Sequence, residues 1–130
     1  MNDLRSERNR ASQTEKRQFN LEERTFEFAQ EVREFVKKLP STLGNLEDAK
    51  LLVRSSGSVA ANYVGANIAA TEQESLQRIK MCSQDAKLSR LWLRLLDLGG
   101  KDELEEMART LEQESLDLTS TFSAIYKKVD

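Results

Sequence analysis

Residues 72–98 read EQESLQRIKMCSQDAKLSRLWLRLLDL, set between Thr71 and the pair Gly99-Gly100. Thr71 followed by Glu74 has the pattern of a helix-starting capping box, and paired glycines stop a helix cleanly. The stretch between them therefore predicts one long helix, here helix C. At about 100° per residue, Leu76, Ile79, Cys82, Ala86 and Leu93 share one side, with Leu96 at its edge. Met81, Leu88, Leu91, Trp92 and Leu95 fall on a second side, roughly 140° round the helix. The first side is the core face of a helical bundle. Burying each large group of the second would contribute about 1.5–3 kcal/mol, so that side reads as a subunit interface. The alternative is a broad core face on a central helix.

The same logic extends to both ends of the chain. Helix A is expected from near Asn20, where Asn20 and Glu23 form a capping box and Phe19 stands at the staple position. Its stripe is Phe28, Val32, Phe35 and Leu39, flanked by Ala29 and Val36, and Pro40 ends it. Helix B is expected from about Leu46 to Ala70, with Ala49, Leu52, Val53, Val59, Ala60, Tyr63 and Val64 as its stripe. Ser56 and Asn67 lie within that stripe and are expected to hydrogen-bond across the bundle. Helix C should run from Glu72 to Leu98. Helix D starts near Asp102, which forms a cap pattern with Glu105. Leu104, Met107, Leu111, Leu118, Phe122, Ile125 and Val129 keep heptad spacing along it, Ser115 filling one slot. Four such helices with short connections give an all-α, antiparallel up-down-up-down four-helix bundle over residues 19–130. Residues 1–18 are polar and read as a disordered tail of net charge about +2.

Composition narrows the chemistry. The chain has 130 residues, 38% hydrophobic and 32% charged, which suits one domain. It contains no histidine, so Ser-His-Asp and Cys-His catalysis and His-ligated metals are excluded. One cysteine, Cys82, excludes an intrachain disulfide and a Cys-rich cluster, and its place on the apolar stripe makes it a packing residue. A single free thiol, no membrane-length apolar run and an N-terminus without an apolar core point to the cytoplasm. Gly57 and Gly65 follow no strand and precede no GK[ST], so they form no phosphate loop. No cofactor, metal site or catalytic residue is expected, and the inventory points away from an enzyme.

What remains is charge and surface. Between Lys50 and Leu96 seven basic residues face three acidic ones, whereas residues 102–130 hold eight acids against three bases. Lys80, Lys87, Arg90 and Arg94 stand seven, three and four apart, on one stripe of helix C. Repeated around an assembly, such a stripe can hold phosphates; the alternative is a solvated face or pairing with acidic helix D. Helix B carries Arg54, Ser58, Ala61, Asn62, Gly65 and Ala69 opposite its stripe, a face small enough for a backbone or phosphate to approach. Arg54, Lys80, Lys87, Arg90 and Arg94 are thus the candidate nucleic-acid contacts, with Ser58 and Asn62 adding short hydrogen bonds. Met81, Leu88, Leu91, Trp92 and Leu95 are the candidate oligomer interface.

The run Arg54-Ser55-Ser56-Gly57-Ser58-Val59-Ala60-Ala61-Asn62-Tyr63-Val64, then Ile79-Lys80-Met81-Cys82, Asp85-Ala86-Lys87 and Leu91-Trp92-Leu93-Arg94-Leu95-Leu96, carries a resemblance. In this order and spacing the chain resembles the small bacterial four-helix-bundle proteins related to the one encoded within 23S rRNA intervening sequences. More distantly it is similar to the accessory protein of diversity-generating retroelements. The resemblance spans roughly residues 21–128. It implies an antiparallel bundle assembled into a homopentameric ring. For the retroelement relative it implies binding of nucleic acid and of a reverse transcriptase through basic surfaces. Two places depart from the family pattern: Gly65-Ala66 stands where a Glu-Ala pair is frequent, and Gln84-Asp85-Ala86 where Lys-Glu-Ala is usual. The expected function is that of a non-enzymatic, homo-oligomeric accessory protein on RNA or DNA, with a nucleic-acid-processing protein among its candidate partners. The alternative is a scaffold for a partner protein, with no direct nucleic-acid contact.

Overall fold

The structure is a computed structural model that describes residues 21–128. The described residues form four helices and no strand: α1 over residues 21–36, α2 Leu43–Asn67, α3 Glu72–Leu95 and α4 Asp102–Lys127. The expected tail, the cap at Asn20, the staple at Phe19 and the last heptad residue Val129 lie outside the described residues.

Pairs of contacts that run in opposite order along two helices show that neighbours are antiparallel. Ser55 meets Ser89 while Asn62 meets Asp85, which sets α2 against α3. Arg24 meets Glu114 while Lys38, just past α1, meets Glu103, which sets α1 against α4. Between α3 and α4 the Ser83 hydroxyl bonds that of Ser123 at 2.7 Å. The molecule is an all-α four-helix bundle.

The core follows the sequence stripes closely. Phe28, Val32 and Phe35 of α1 meet Leu52, Val59 and Tyr63 of α2, Ile79, Cys82, Ala86 and Leu93 of α3, and Leu104, Leu111, Leu118 and Phe122 of α4. Tyr63 and Phe122 stack with ring centroids 5.7 Å apart, tilted by 49°. Cys82 is fully buried and donates its thiol to the Val59 carbonyl at 3.4 Å; burial pushes its pKa up to about 12. It therefore packs as a small apolar group. Val64 departs from expectation and is exposed, because α2 turns the arc through Leu52, Ser55, Val59 and Ala66 inward and Val64 lies beyond it. Ser56 is buried but donates to Val53 of its own helix rather than across the bundle. Asn67 is exposed and bonds the Tyr63 hydroxyl, so neither fixes register as expected.

Helix ends shift for identifiable reasons. α2 starts at Leu43, before the expected Leu46, because the Thr42 hydroxyl accepts from the Asn45 amide at 3.1 Å. α3 starts where Thr71 predicted, its hydroxyl accepting from the Glu74 amide at 3.1 Å. It ends at Leu95 rather than Leu98. Leu96 turns extended, at φ −67° and ψ 141°, and buries its side chain in the core. The next amide, of Asp97, donates to Asn45 Oδ1 at 2.9 Å. Asn45 Nδ2 in turn donates to the carbonyls of Pro40 and Asp97, so one buried amide ties the α1–α2 connection to the α3–α4 connection. Gly99 and Gly100, at φ 66° and 69°, then reverse the chain in a conformation glycine adopts without strain. Asp102 is the first helical residue of α4, not its cap; with Glu103 and Glu105 it places negative charge at the positive end of the helix dipole. No helix among the described residues is long and apolar enough to cross a membrane.

Candidate nucleic-acid interface

The row of cations on α3 occupies the flank turned toward α4. Lys87, Arg90 and Arg94 line an open groove of about 640 Å³ between these helices, together with Gln84, Leu88, Leu91, Leu116 and Thr119. Lys87 and Arg94 are exposed and Arg90 is half-buried. Lys80 is also exposed, one turn before Gln84 on the same flank. The groove thus has one cationic wall, on α3, with Leu116 and Thr119 of α4 opposite, and it is lined by leucine from both helices.

None of these four cations has a carboxylate oxygen within 4.0 Å among the described residues. The ion pairs present are Arg24–Glu114, Lys37–Glu34, Lys38–Glu103 and Lys50–Glu47. Of the α4 carboxylates beside the groove residue Leu116, Glu114 is held by Arg24 of α1 at 2.6 Å and Asp117 accepts from Gln113 Nε2 at 3.0 Å. The hydrogen bond to Glu114 raises the Arg24 pKa, against the opposing effect of burial. The expected alternative, neutralisation of the α3 row by acidic helix D, finds no such contact among the described residues. Arg94 lies in the last turn of α3, where the helix dipole favours a cation. That accounts for Arg94 alone, since the effect fades within one turn.

The α2 candidates part from this groove. Arg54 is exposed on α2 and lines no part of it. Asn62 is 4% exposed, sealed in the seam between α2 and α3. Its Nδ2 donates to Asp85 Oδ2 at 3.1 Å and to Ser58 Oγ at 3.2 Å, and its Oδ1 accepts from Arg78 Nη1 at 3.0 Å. Ser58 and Asn62 are therefore occupied within the protein. Below them Ser89 donates to the Asp85 carbonyl at 2.9 Å and bonds the Ser55 hydroxyl at 2.8 Å. The seam is a ladder of short polar contacts.

The small residues of α2 make room for arginines of this same chain. A Cβ on Gly65 would stand 3.3 Å from Arg78 Nε, and one on Gly57 would stand 3.2 Å from an Arg33 guanidinium nitrogen. The close approach expected on that face is real, but its occupant is internal. Sequence reasoning missed the Arg78–Asn62–Asp85 relay. Its signal was the seven-residue spacing of Arg78 and Asp85, which puts both on one flank of α3.

The candidate interface residues lie on the outer side of α3. Met81, Leu88, Leu91 and Leu95 are exposed, Leu88 at 44% and Leu95 at 56%. Trp92 is half-buried and packs against the core. Leu91 and Leu88 are shared with the groove, so the two expected surfaces meet along one edge. Among the described residues no group of three or more Cys, Asp or Glu side chains is arranged to hold a metal ion.

A solved structure of a protein of unknown function from Bacteroides thetaiotaomicron, of the S23 ribosomal protein family, superposes on this chain with a TM-score of 0.72. The match covers 85% of this chain and 97% of that one, at 20% sequence identity. At that identity the likeness shows the fold alone. No family model matches the chain, and no curated protein matches it.

Proposed function

We propose that this protein is a homo-oligomeric, non-enzymatic accessory protein of the cytoplasm that associates with nucleic acid through the basic row of α3. The observation that carries this reading is the row itself: Lys80, Lys87, Arg90 and Arg94 lie on one flank with no carboxylate partner among the described residues. Like charges three and four residues apart disfavour an isolated helix, so the arrangement suits an external polyanion. The structural likeness to a member of the S23 ribosomal protein family supports kinship with the rRNA-associated bundle proteins. On this reading Met81, Leu88, Trp92 and Leu95 form the contact between subunits, and a ring of five is the assembly the resemblance implies. Arg54 serves as an outlying phosphate contact on α2.

The second reading, a scaffold that binds a partner protein, draws on the leucines lining the groove, which offer apolar contact to a helix. Charge reversal separates the two. Lys80→Glu with Lys87→Glu is expected to weaken RNA or DNA binding and to reduce its salt slope by about one for each lysine reversed. Unchanged affinity and slope would defeat the nucleic-acid reading and leave the scaffold.

A further inference from the structure

Arg90 differs from its neighbours in the row. Its Nε is buried and, among the described residues, has no hydrogen-bond acceptor, the sole side-chain nitrogen or oxygen in that condition. Arg90 nonetheless lines the groove, together with Lys87 and Arg94. A guanidinium donates through a planar fork, and an oxyanion can accept from Nε and a terminal nitrogen together. An anion entering the groove would meet Arg90 with Lys87 and Arg94 on either side, and a shift of the Arg90 side chain that uncovers Nε would complete the fork.

The shape of the groove restricts what carries the anion. Packed helix axes stand only about 8–10 Å apart, and the recess between α3 and α4 is lined by Leu88, Leu91 and Leu116. A duplex keeps its bases paired inside a cylinder wider than that gap, and would set its phosphates on the rim while leaving the leucines wet. A single strand can enter, place a phosphate on Arg90 and lay a sugar or an unstacked base on Leu91 and Leu116. Resting on the nucleic-acid reading above, we infer that the α3–α4 groove selects single-stranded nucleic acid and that Arg90 anchors one of its phosphates.

The test uses fluorescence anisotropy of the full-length protein with a labelled, unstructured oligonucleotide and with a duplex of equal length at one fixed salt concentration. The single strand is expected to bind more tightly. Arg90→Ala is expected to weaken single-strand binding about tenfold or more, the scale of a charge-assisted fork removed. Arg90→Lys, which keeps the charge without the fork, is expected to recover only part of that. Arg109→Gln, an equal change of charge on the exposed surface of α4, is expected to change affinity less than about twofold. Thermal unfolding of each variant shows that it folds. Equal or tighter duplex binding overturns the selection of single strands. Wild-type affinity in both Arg90 variants, with Lys87→Glu still weakened, overturns the anchor while the nucleic-acid reading stands. An absence of binding by the wild type at low salt overturns both. Displacement of the bound strand by an acidic amphipathic peptide that itself binds more tightly assigns the groove to protein and overturns the inference.

Discussion

Removing the Asn62 side chain should destabilise the protein well beyond an ordinary polar-to-alanine change. Asn62 is 4% exposed, and its amide serves the Asp85 carboxylate, the Ser58 hydroxyl and the Arg78 guanidinium at 3.0–3.2 Å. A hydrogen bond to a charged group contributes about 1.5–3 kcal/mol, and half-buried Asp85 places its share near the lower end. Arg78 is exposed and regains water, so its share is small. Loss of buried side-chain volume adds about 1 kcal/mol, while the better helix propensity of alanine returns about 0.6 kcal/mol. Asn62→Ala should therefore cost about 2 kcal/mol, which lowers the Tm by about 8 °C for a domain of this size. The assay is calorimetry or circular dichroism at fixed protein concentration, because self-association would make the Tm depend on it. A cycle with Asp85→Ala should show a coupling of about 1 kcal/mol. A Tm change below about 2 °C, or strict additivity with Asp85→Ala, would refute the view that this relay holds α2 to α3.

Further predictions concern the thiol and the outer face. The pKa of Cys82 is about 12 in the folded protein against an ordinary value of 9.0, with burial as the main cause. Its stabilising effect is whole below pH 9 and is lost as the unfolded thiol ionises between about pH 9 and 12. The wild type should thus lose Tm more steeply across that range than Cys82→Ala, and a thiol reagent should react at neutral pH only after unfolding. Leu88→Asp with Leu95→Asp alters exposed positions, so light scattering should show a smaller assembly while helicity is kept. An assembly of unchanged mass would remove those residues from the subunit contact.

The bundle was legible because its helices are long and their apolar residues recur with helical spacing. Ile79, Cys82, Ala86 and Leu93 are buried as the wheel of α3 required, and Met81, Leu88, Leu91 and Leu95 are left outside. Legibility failed where a residue's surroundings are set by another helix. Asn62 looked like part of an open face, because nothing on α2 announces that α3 seals its flank. Gly65 looked like an opening for a ligand, yet the side chain over it comes from Arg78 on α3. Asn45 looked like a loop residue, although it is the buried tie between two connections far apart in sequence. The end of α3 was misplaced because burial of Leu96 outweighed the helical run through Leu98. Of the candidate site, the cationic row was readable from its seven-three-four spacing. The groove was not, since its opposite wall is built by Leu116 and Thr119 of α4.

The most direct test of nucleic-acid association is the salt dependence of binding by the intact protein. Anisotropy would be followed against short RNA and DNA from about 50 to 300 mM salt, a range over which phosphate contacts lose much of their affinity. The four cations of the α3 row, each without a carboxylate partner among the described residues, predict a log–log slope of about −3 per chain on a single strand. Binding with a slope near zero, or no binding at the lowest salt, would contradict that association.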